Sequence, residues 1–327
     1  MPQTAYGDIS PRTAAYAAVD MLNRGLPYLI LEKFGQARVL PDNKTKVITF
    51  RRYNSLDATP NALSEGVTPE AKQLTATDVS ATLSQYGDRV TITDVVIDTH
   101  EDPVLREAND VLGEQAAEMI ETVRFNTLKA GTNVFFANGS ERVDVNTALS
   151  LTLQRKITRA LKRQNARKIT RIVQSTPSYG TRPVAPAYVG LCHPDIENDV
   201  RNMEGFVPVE AYGQLTPYES EIGKVEDVRY ISSTIFEPWA DAGGAKGNMI
   251  STTGASADVY PVIYLGRDAY GVVALKGINA ITPLVVNPKP SDSDPLAQRG
   301  HVGWKAMQTA VVLNDAWMIR AEVAATE

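Results

Sequence analysis

Between residues 102 and 131 the apolar positions Leu105, Ala108, Leu112, Ala116, Met119 and Val123 recur every three or four residues, and Val104 and Val111 widen the stripe. That period is helical. Glu107, Glu114, Glu118 and Glu121 fall off the stripe, so the pattern predicts one long rod with a single apolar side. Asp102 suits an N-cap, Pro103 the first helical position and Gly131 the C′ position, giving about 28 residues and roughly 40 Å of helix.

Ahead of the rod the period changes to two. Residues 44–53 alternate, with Val47, Thr49 and Arg51 on one face and Ile48, Phe50 and Arg52 on the other; residues 77–86 alternate through Val79, Ala81 and Leu83. The stretch between them, with Pro60, Gly66 and Pro69, runs about twenty residues without an element, a length that marks a functional or mobile segment. Together these predict an extended hairpin whose arms, at about 3.3 Å per residue, project roughly 30 Å. Gly87 is expected to break the second arm, and 89–96 to form a further strand leading into the rod. Residues 1–37 hold a weak amphipathic run over 11–24, stopped by Gly25 and Pro27, then Leu29, Ile30, Leu31 and Phe34 before Gly35. Pieces this short bury too little alone, so the region reads as an arm lying across something else.

Downstream, a second helix is predicted over about 145–164. Strands are expected at 187–191, at 221–234 with a turn at Gly223, at 259–265, 271–275 and 280–286, and over 302–323 with a turn at Asn314 and Asp315. His193, Pro194 and Asp195 open a short helix, which leaves His193 no need of a catalytic role. Residues 240–257, rich in Gly, Ser and Thr, read as a flexible loop, and 288–298 as an exposed crossover loop.

Composition narrows the functional classes. An apolar content of 43% is enough for one large core or two smaller ones. A net charge of −5 argues against a globally basic nucleic-acid binder, but charge is uneven. Arg155, Lys156, Arg159, Lys162, Arg163, Arg167, Lys168 and Arg171 follow one another with no acidic residue between Asp144 and Asp195. Such a run either faces polyanion, with Arg155, Arg159, Lys162, Arg163 and Arg167 toward DNA, or is a solvated helix face or a contact with an acidic neighbour. No aromatic interleaves it, so base stacking is not indicated. The single cysteine, Cys192, excludes an internal disulfide and a cysteine-cluster metal site, fits a reducing compartment and is expected to be buried. No apolar run reaches the length of about 18 residues that spans a bilayer, and no signal layout opens the chain, so neither a membrane partner nor export is expected. The chain lacks a Gly-x-Ser-x-Gly elbow, a His-Glu-x-x-His pair, a phosphate-binding loop and a dinucleotide fingerprint, so no catalytic residue, metal or cofactor is expected.

The order of motifs goes further. Tyr6 to Thr13 (YGDISPRT), Leu63 to Pro69 (LSEGVTP), Gln85 to Asp88 (QYGD), Asp98 to Pro103 (DTHEDP), His193 to Asp195 (HPD), Glu221 to Lys224 (EIGK) and Asp268 to Gly271 (DAYG) occur in sequence. Together they resemble the major capsid protein family of N4-like tailed bacteriophages, over nearly the whole chain. The resemblance implies an α+β Johnson fold, shared by tailed-phage and herpesvirus capsid proteins. It divides the chain into an N-terminal arm (1–37), P-domain entry with the E-loop hairpin (38–99), P-domain with spine helix (100–144), A-domain (145–288) and a return to the P-domain (289–327). It implies a structural protein assembling as hexamers and pentamers into an icosahedral head around double-stranded DNA, in the virion, after assembly in the host cytoplasm. The partners implied are other copies, a separate scaffolding protein, a portal, a decoration protein and packaged DNA. Inter-subunit contacts are then expected at Tyr6, Arg12, Tyr16, Arg51, Arg52, Tyr53, Leu63, Glu65, Val67, Glu70 and Lys72, and hinges at Gly25, Pro27, Gly35, Gly66 and Gly87. A nucleic-acid-binding protein using 155–171 is the alternative from another class, and an enzyme comes third.

Overall fold

Period-two patterning builds three sheets, and the long helix lies across two of them. The structure, a computed structural model, describes residues 29–41, 43, 45–60, 62, 63, 65, 66, 68–95, 104–169, 186–212, 218, 220–275, 281–286, 288, 290 and 295–327. In chain order the elements are β1 (Gln36–Leu40), β2 (Val47–Tyr53), β3 (Ala76–Thr82), β4 (Ser84–Thr93), α1 (Val104–Lys129), β5 (Val134–Phe136), α2 (Leu151–Arg163), β6 (Tyr188–Cys192), α3 (Glu197–Arg201), β7 (Phe206–Pro208), β8 (Glu221–Val225), β9 (Val228–Ser232), β10 (Tyr260–Leu265), β11 (Tyr270–Leu275), β12 (Ile281–Val286), β13 (Arg299–Val312) and β14 (Met318–Val323).

A five-stranded sheet runs β1-β11-β13-β12, with β4 also paired to β13. A seven-stranded sheet runs β5-β14-β10-β6-β9-β8-β7, and β2 pairs with β3 alone. The neighbouring sequences of β10 and β11 therefore belong to different sheets. Two turns make the transfer side by side: Leu313 and Asn314 donate their N–H groups to Ala269 O at 2.9 and 3.0 Å, and Gly266 donates to Trp317 O at 2.8 Å. The turn predicted at Asn314 and Asp315 is one of this pair, with the Asn314 side chain capping Ala316 N.

The rod changes partner along its length. Its first half, through Leu112, Ala116, Ala117 and Ile120, packs with Ile92, Val302, Trp304 and Ala306 of the five-stranded sheet. Its second half, through Phe125 and Leu128, packs with Val189, Leu191, Ile263 and Met318 of the seven-stranded sheet, where Leu31 and Phe34 also bury. Phe125 lies 4.8 Å from Phe236, ring centre to ring centre. The other face of the larger sheet is covered by α2 through Leu153, Ile157 and Leu161, by α3 through Val200, and by Ile196 of the turn that leads into α3.

Several expectations need correction. Val111 is 55% exposed, whereas Glu121 and Arg124, off the predicted stripe or outside it, are fully buried. A rod sandwiched at its middle buries more than one face. Asp102, Pro103 and His100 lie outside the described residues. Gly131 has no left-handed φ and is hemmed in by Met318 and Asp315, so close packing keeps it small. The second helix starts later than predicted, at Leu151, because Ser150 caps it by accepting Leu153 N–H at 3.3 Å. The turn in 221–234 falls at Glu226, whose φ is +48°, while Gly223 sits inside β8 pressed against Phe206 and Val207. The 240–257 run is pinned: buried Asp258 accepts from Asp241 N at 2.7 Å and Thr252 Oγ1 at 2.9 Å, and Asp241 accepts from Thr253 N at 3.1 Å.

The change of partner gives a test. Phe125→Ala empties a site sealed between rod and sheet and should cost about 3–5 kcal/mol. Val111→Ala, on the stripe but exposed, should stay within about 0.5 kcal/mol. Chemical denaturation of both variants checks the pair.

Candidate assembly surfaces

The hairpin is built by β2 and β3 in antiparallel register from Val47 opposite Thr82 to Tyr53 opposite Ala76. Only its base is anchored. Ile48 and Phe50 pack with buried Leu40, Ala81, Leu83 and Val273, and Phe50 rests on Gly271, where a Cβ would come within 2.9 Å of the ring. Beyond Phe50 the ribbon has solvent on both faces, and a lone two-stranded ribbon draws little stability from itself. Cross-strand polar pairs hold it: Arg51 donates to both Asp78 carboxylate oxygens at 2.8 Å, and Thr49 and Ser80 hydroxyls meet at 3.3 Å. The guanidinium holds the Asp78 carboxyl below its usual range.

The tip, residues 54–75, has no regular element among its described residues. Asp57 caps Thr59, and Lys72 Nζ donates to Asp57 O at 2.5 Å, closing the loop on itself. Gly66 takes a φ of +77° in a turn with open space around it, as a tip glycine should. Leu63 is 72% exposed, Leu74 60%, Leu56 52% and Tyr53 62%. Large apolar side chains gathered on one projection and facing water mark a contact surface.

Of the predicted contact residues, Arg51, Arg52 and Tyr53 stand exposed at the far end of β2, and Leu63, Glu65, Glu70 and Lys72 stand exposed on the tip. The structure thus gathers them on one appendage. Tyr6, Arg12, Tyr16, Val67, Gly25 and Pro27 lie outside the described residues. Two hinges are corrected. Gly87 lies within β4 opposite Lys305, and a Cβ there would meet Trp304 O at 2.6 Å; the arm is interrupted instead at Leu83, between β3 and β4. Gly35 lies under Tyr270, with its ring 2.6 Å from where a Cβ would stand. Both are glycines by close packing. Leu56 and Leu74, exposed on the same tip, are not among the residues predicted from the sequence; the signal is a large apolar residue stranded in a polar, elementless run.

Arg171 lies outside the described residues, and the described part of the basic run, Arg155 to Lys168, lies along α2 and the segment after it. Its acidic neighbour is its own chain: Arg155 pairs with Glu226 at 2.5 Å, Lys168 with Asp227 at 2.7 Å, and Lys162 also with Asp227. These two acids form the β8–β9 turn, far away in sequence, which is why the run looked uncompensated. The two lysines, working against partial burial, hold the Asp227 carboxyl below its usual range. Arg159, Arg163 and Arg167 remain exposed on that face. Two carboxylates thus offset part of the predicted surface, and nucleic-acid binding as the chain's main role is not supported.

Cys192 is buried, and burial pushes its thiol up, out of the reactive range. His193 accepts Asp195 N–H at 3.3 Å and caps the turn it opens, as predicted. Among the described residues no group of three or more His, Cys, Asp or Glu is placed to hold a metal ion, and no helix is long and apolar enough to cross a membrane.

With this geometry in place, comparisons with known proteins agree with one another. The model of the phage capsid protein family matches residues 76–321. No curated protein sequence matches the chain. Among solved structures, the capsid of Ralstonia phage GP4 is 12% identical, with a TM-score of 0.69 over 90% of this chain and 87% of that one. The cyanophage Pam1 capsid asymmetric unit is 12% identical at TM-score 0.64, covering 93% and 92%. The head of Helicobacter pylori bacteriophage KHP40 is 13% identical at TM-score 0.58, covering 88% and 87%. At such identities the likeness is one of fold, and the fold is the Johnson fold of tailed-phage major capsid proteins. Because the family match covers most of its length, the chain belongs to the phage capsid protein family, as a structural major capsid protein of the virion shell.

Proposed function

We propose that the chain assembles as hexamers and pentamers of a closed icosahedral head, with no catalytic step of its own, and that its hairpin is the part that reaches the neighbouring copy. The observation that carries this reading is the hairpin itself, anchored at Phe50 and then exposed on both faces, with Leu56, Leu63 and Leu74 at its end. Such groups are costly in water and are relieved only by another surface. In this reading residues 1–37 are the N-terminal arm, 38–99 the P-domain entry and E-loop, 100–144 the P-domain with α1 as spine, 145–288 the A-domain and 289–327 the return. The ordered motif run supports an N4-like affiliation. A separate scaffolding protein, a portal and a decoration protein are the expected partners, with assembly in the host cytoplasm.

The elements follow that division in part: β5 lies in the larger sheet, and β11 and β12 in the smaller one. The five-stranded sheet and the first half of α1 make one body, and the seven-stranded sheet with α2 and α3 makes the other. The chain passes from the second body to the first between β10 and β11, ahead of residue 288, and β14 leads it back to the larger sheet. The boundary proposed at 288 is thus crossed again near residue 313, since Met318–Val323 pairs with β5 and β10.

Replacing residues 61–72 with a short Gly-Ser link should leave a soluble subunit whose Tm changes by less than about 3 °C, because the tip adds little to its own core. That subunit should fail to close particles. Electron microscopy of the assembly reaction reads the outcome, and either normal particles or an unfolded, aggregating chain would overturn the assignment.

The exposed remainder of the basic face generates a second test. If Arg159, Arg163 and Arg167 face packaged DNA in the shell, they neutralise phosphates without reading sequence. Changing the three to Gln should then flatten the dependence of duplex-DNA binding on salt, with the slope falling by about 0.9 for each phosphate that is no longer neutralised. An unchanged slope assigns the face to protein contacts.

A further inference from the structure

Where α1 passes from one sheet to the other, it buries ionisable groups that the assembly reading does not use. Glu121 has no exposed surface, and Arg124 is 1% exposed. Ile30 and Leu31 donate their backbone N–H groups to Glu121 Oε1, at 3.0 and 2.6 Å. These donors open the short helical turn Leu31–Lys33, the first described piece after residue 28. Tyr270 of β11 donates its hydroxyl to Leu31 O, so both backbone polar groups of Leu31 are held by side chains.

We propose that Glu121 is a proton-linked latch: its protonation sets how firmly the segment 29–34, the root of everything upstream, stays attached to α1. The charged and titratable groups around it come from each element packed there. Arg124, one turn along α1, lies 3.6 Å from Glu121 and 3.6 Å from Glu32 of the short turn. From β13, Gln308 accepts Arg124 Nη2 at 2.7 Å, and from β11 the Tyr270 phenol faces the same group of charges. Two carboxylates thus share one buried guanidinium. Of the two, Glu121 is the one that water does not reach, since Glu32 keeps part of its side chain exposed.

Proton uptake by Glu121 removes a negative charge from a position with no exposed surface. Burial pushes its carboxyl up to about 7, against the opposing pull of Arg124 and of the Leu31 and Ile30 N–H groups. The sign follows. A carboxyl whose value is higher when the segment is attached than when it is detached takes up a proton on attachment. Attachment is therefore firmest below the ordinary carboxylate value of 4.5 and weakens as pH rises toward about 7, above which it changes no further. When protonated, Glu121 keeps one oxygen to accept the two N–H groups, so the geometry survives while the buried charge disappears. The latch is a property of one subunit, independent of how copies assemble.

Amide hydrogen exchange of Ile30 and Leu31 in the full-length, unassembled chain reads the latch directly, after correction for the intrinsic effect of pH. Protection should fall on the order of tenfold between about pH 5 and pH 7. In Glu121→Gln, which imitates the protonated form, protection should stay high and lose that slope. Equal slopes in the two proteins would overturn the proposal. So would loss of protection in the variant at both pH values, since the group would then act through shape and hydrogen bonding alone. Infrared titration of the buried carboxyl in the unaltered chain needs no variant. Its carboxylic-acid band should persist to near-neutral pH, and disappearance of every such band in the ordinary carboxylate range would equally overturn it.

Discussion

Everything in this subunit is placed by a helix that cannot satisfy its apolar surface on one sheet. Leu112, Ala116 and Ile120 belong to the core of the five-stranded sheet, and Phe125 and Leu128 to the core of the seven-stranded one. A rod shared in this way fixes the angle and spacing of the two bodies, because sliding it along either would expose a turn of the other. The transition itself, at Glu121 and Arg124, is the one stretch where neither core is continuous. Polar groups occupy it, at the cost of removing charges from water, and they find their partners in backbone N–H groups and in Gln308. Such partners are directional, so the crossing has one geometry where an apolar filling would tolerate several.

The hairpin inherits its aim from that frame. Strand β4 pairs along β13 from Ser84 opposite Gln308 to Thr93 opposite Arg299, under the first half of α1. Strand β3 ends one residue earlier, and Leu83 between them is buried. The projection therefore leaves a clamped strand through one buried residue. Phe50 lying on Gly271 adds a second support from β2, and beyond those two points the ribbon has no further purchase on its own subunit. Rigid at the root and unsupported beyond, it holds its exposed leucines at a set distance from the body.

What could be read in the sequence was whatever neighbouring residues decide among themselves. The alternation of 44–53, the helical period of the rod, the helix start at His193-Pro194-Asp195 and the Asn314 turn are local chemistry, and the structure has an element of the expected kind at each. The failures share a cause. Gly87, Gly35 and Gly223 were read by what glycine does to its own backbone, whereas Trp304, Tyr270 and Phe206, all distant in sequence, explain why no side chain fits. Glu121 was set on the polar side because three glutamates near it are on that side, and nothing within reach of the pattern showed that Ile30 and Leu31 would supply donors. The basic run lacked compensation only along the chain, since Glu226 and Asp227 arrive through strand pairing. The short strands β1, β5 and β7 carry too few residues for alternation to register, and their partners alone define them.

Strands β13 and β14 follow in the chain every strand with which they pair. The first joins β4, β11 and β12 into one sheet, and the second binds β5 to β10 in the other. During synthesis, then, α1 emerges long before either surface it covers can close, and its apolar side waits through some two hundred residues of translation for its partners, at roughly 5–20 residues per second. Pairing over such separations is slow to form. The five-stranded sheet is thus completed late, after β6, β7, β8, β9 and β10 of the larger sheet are all available to pair with one another.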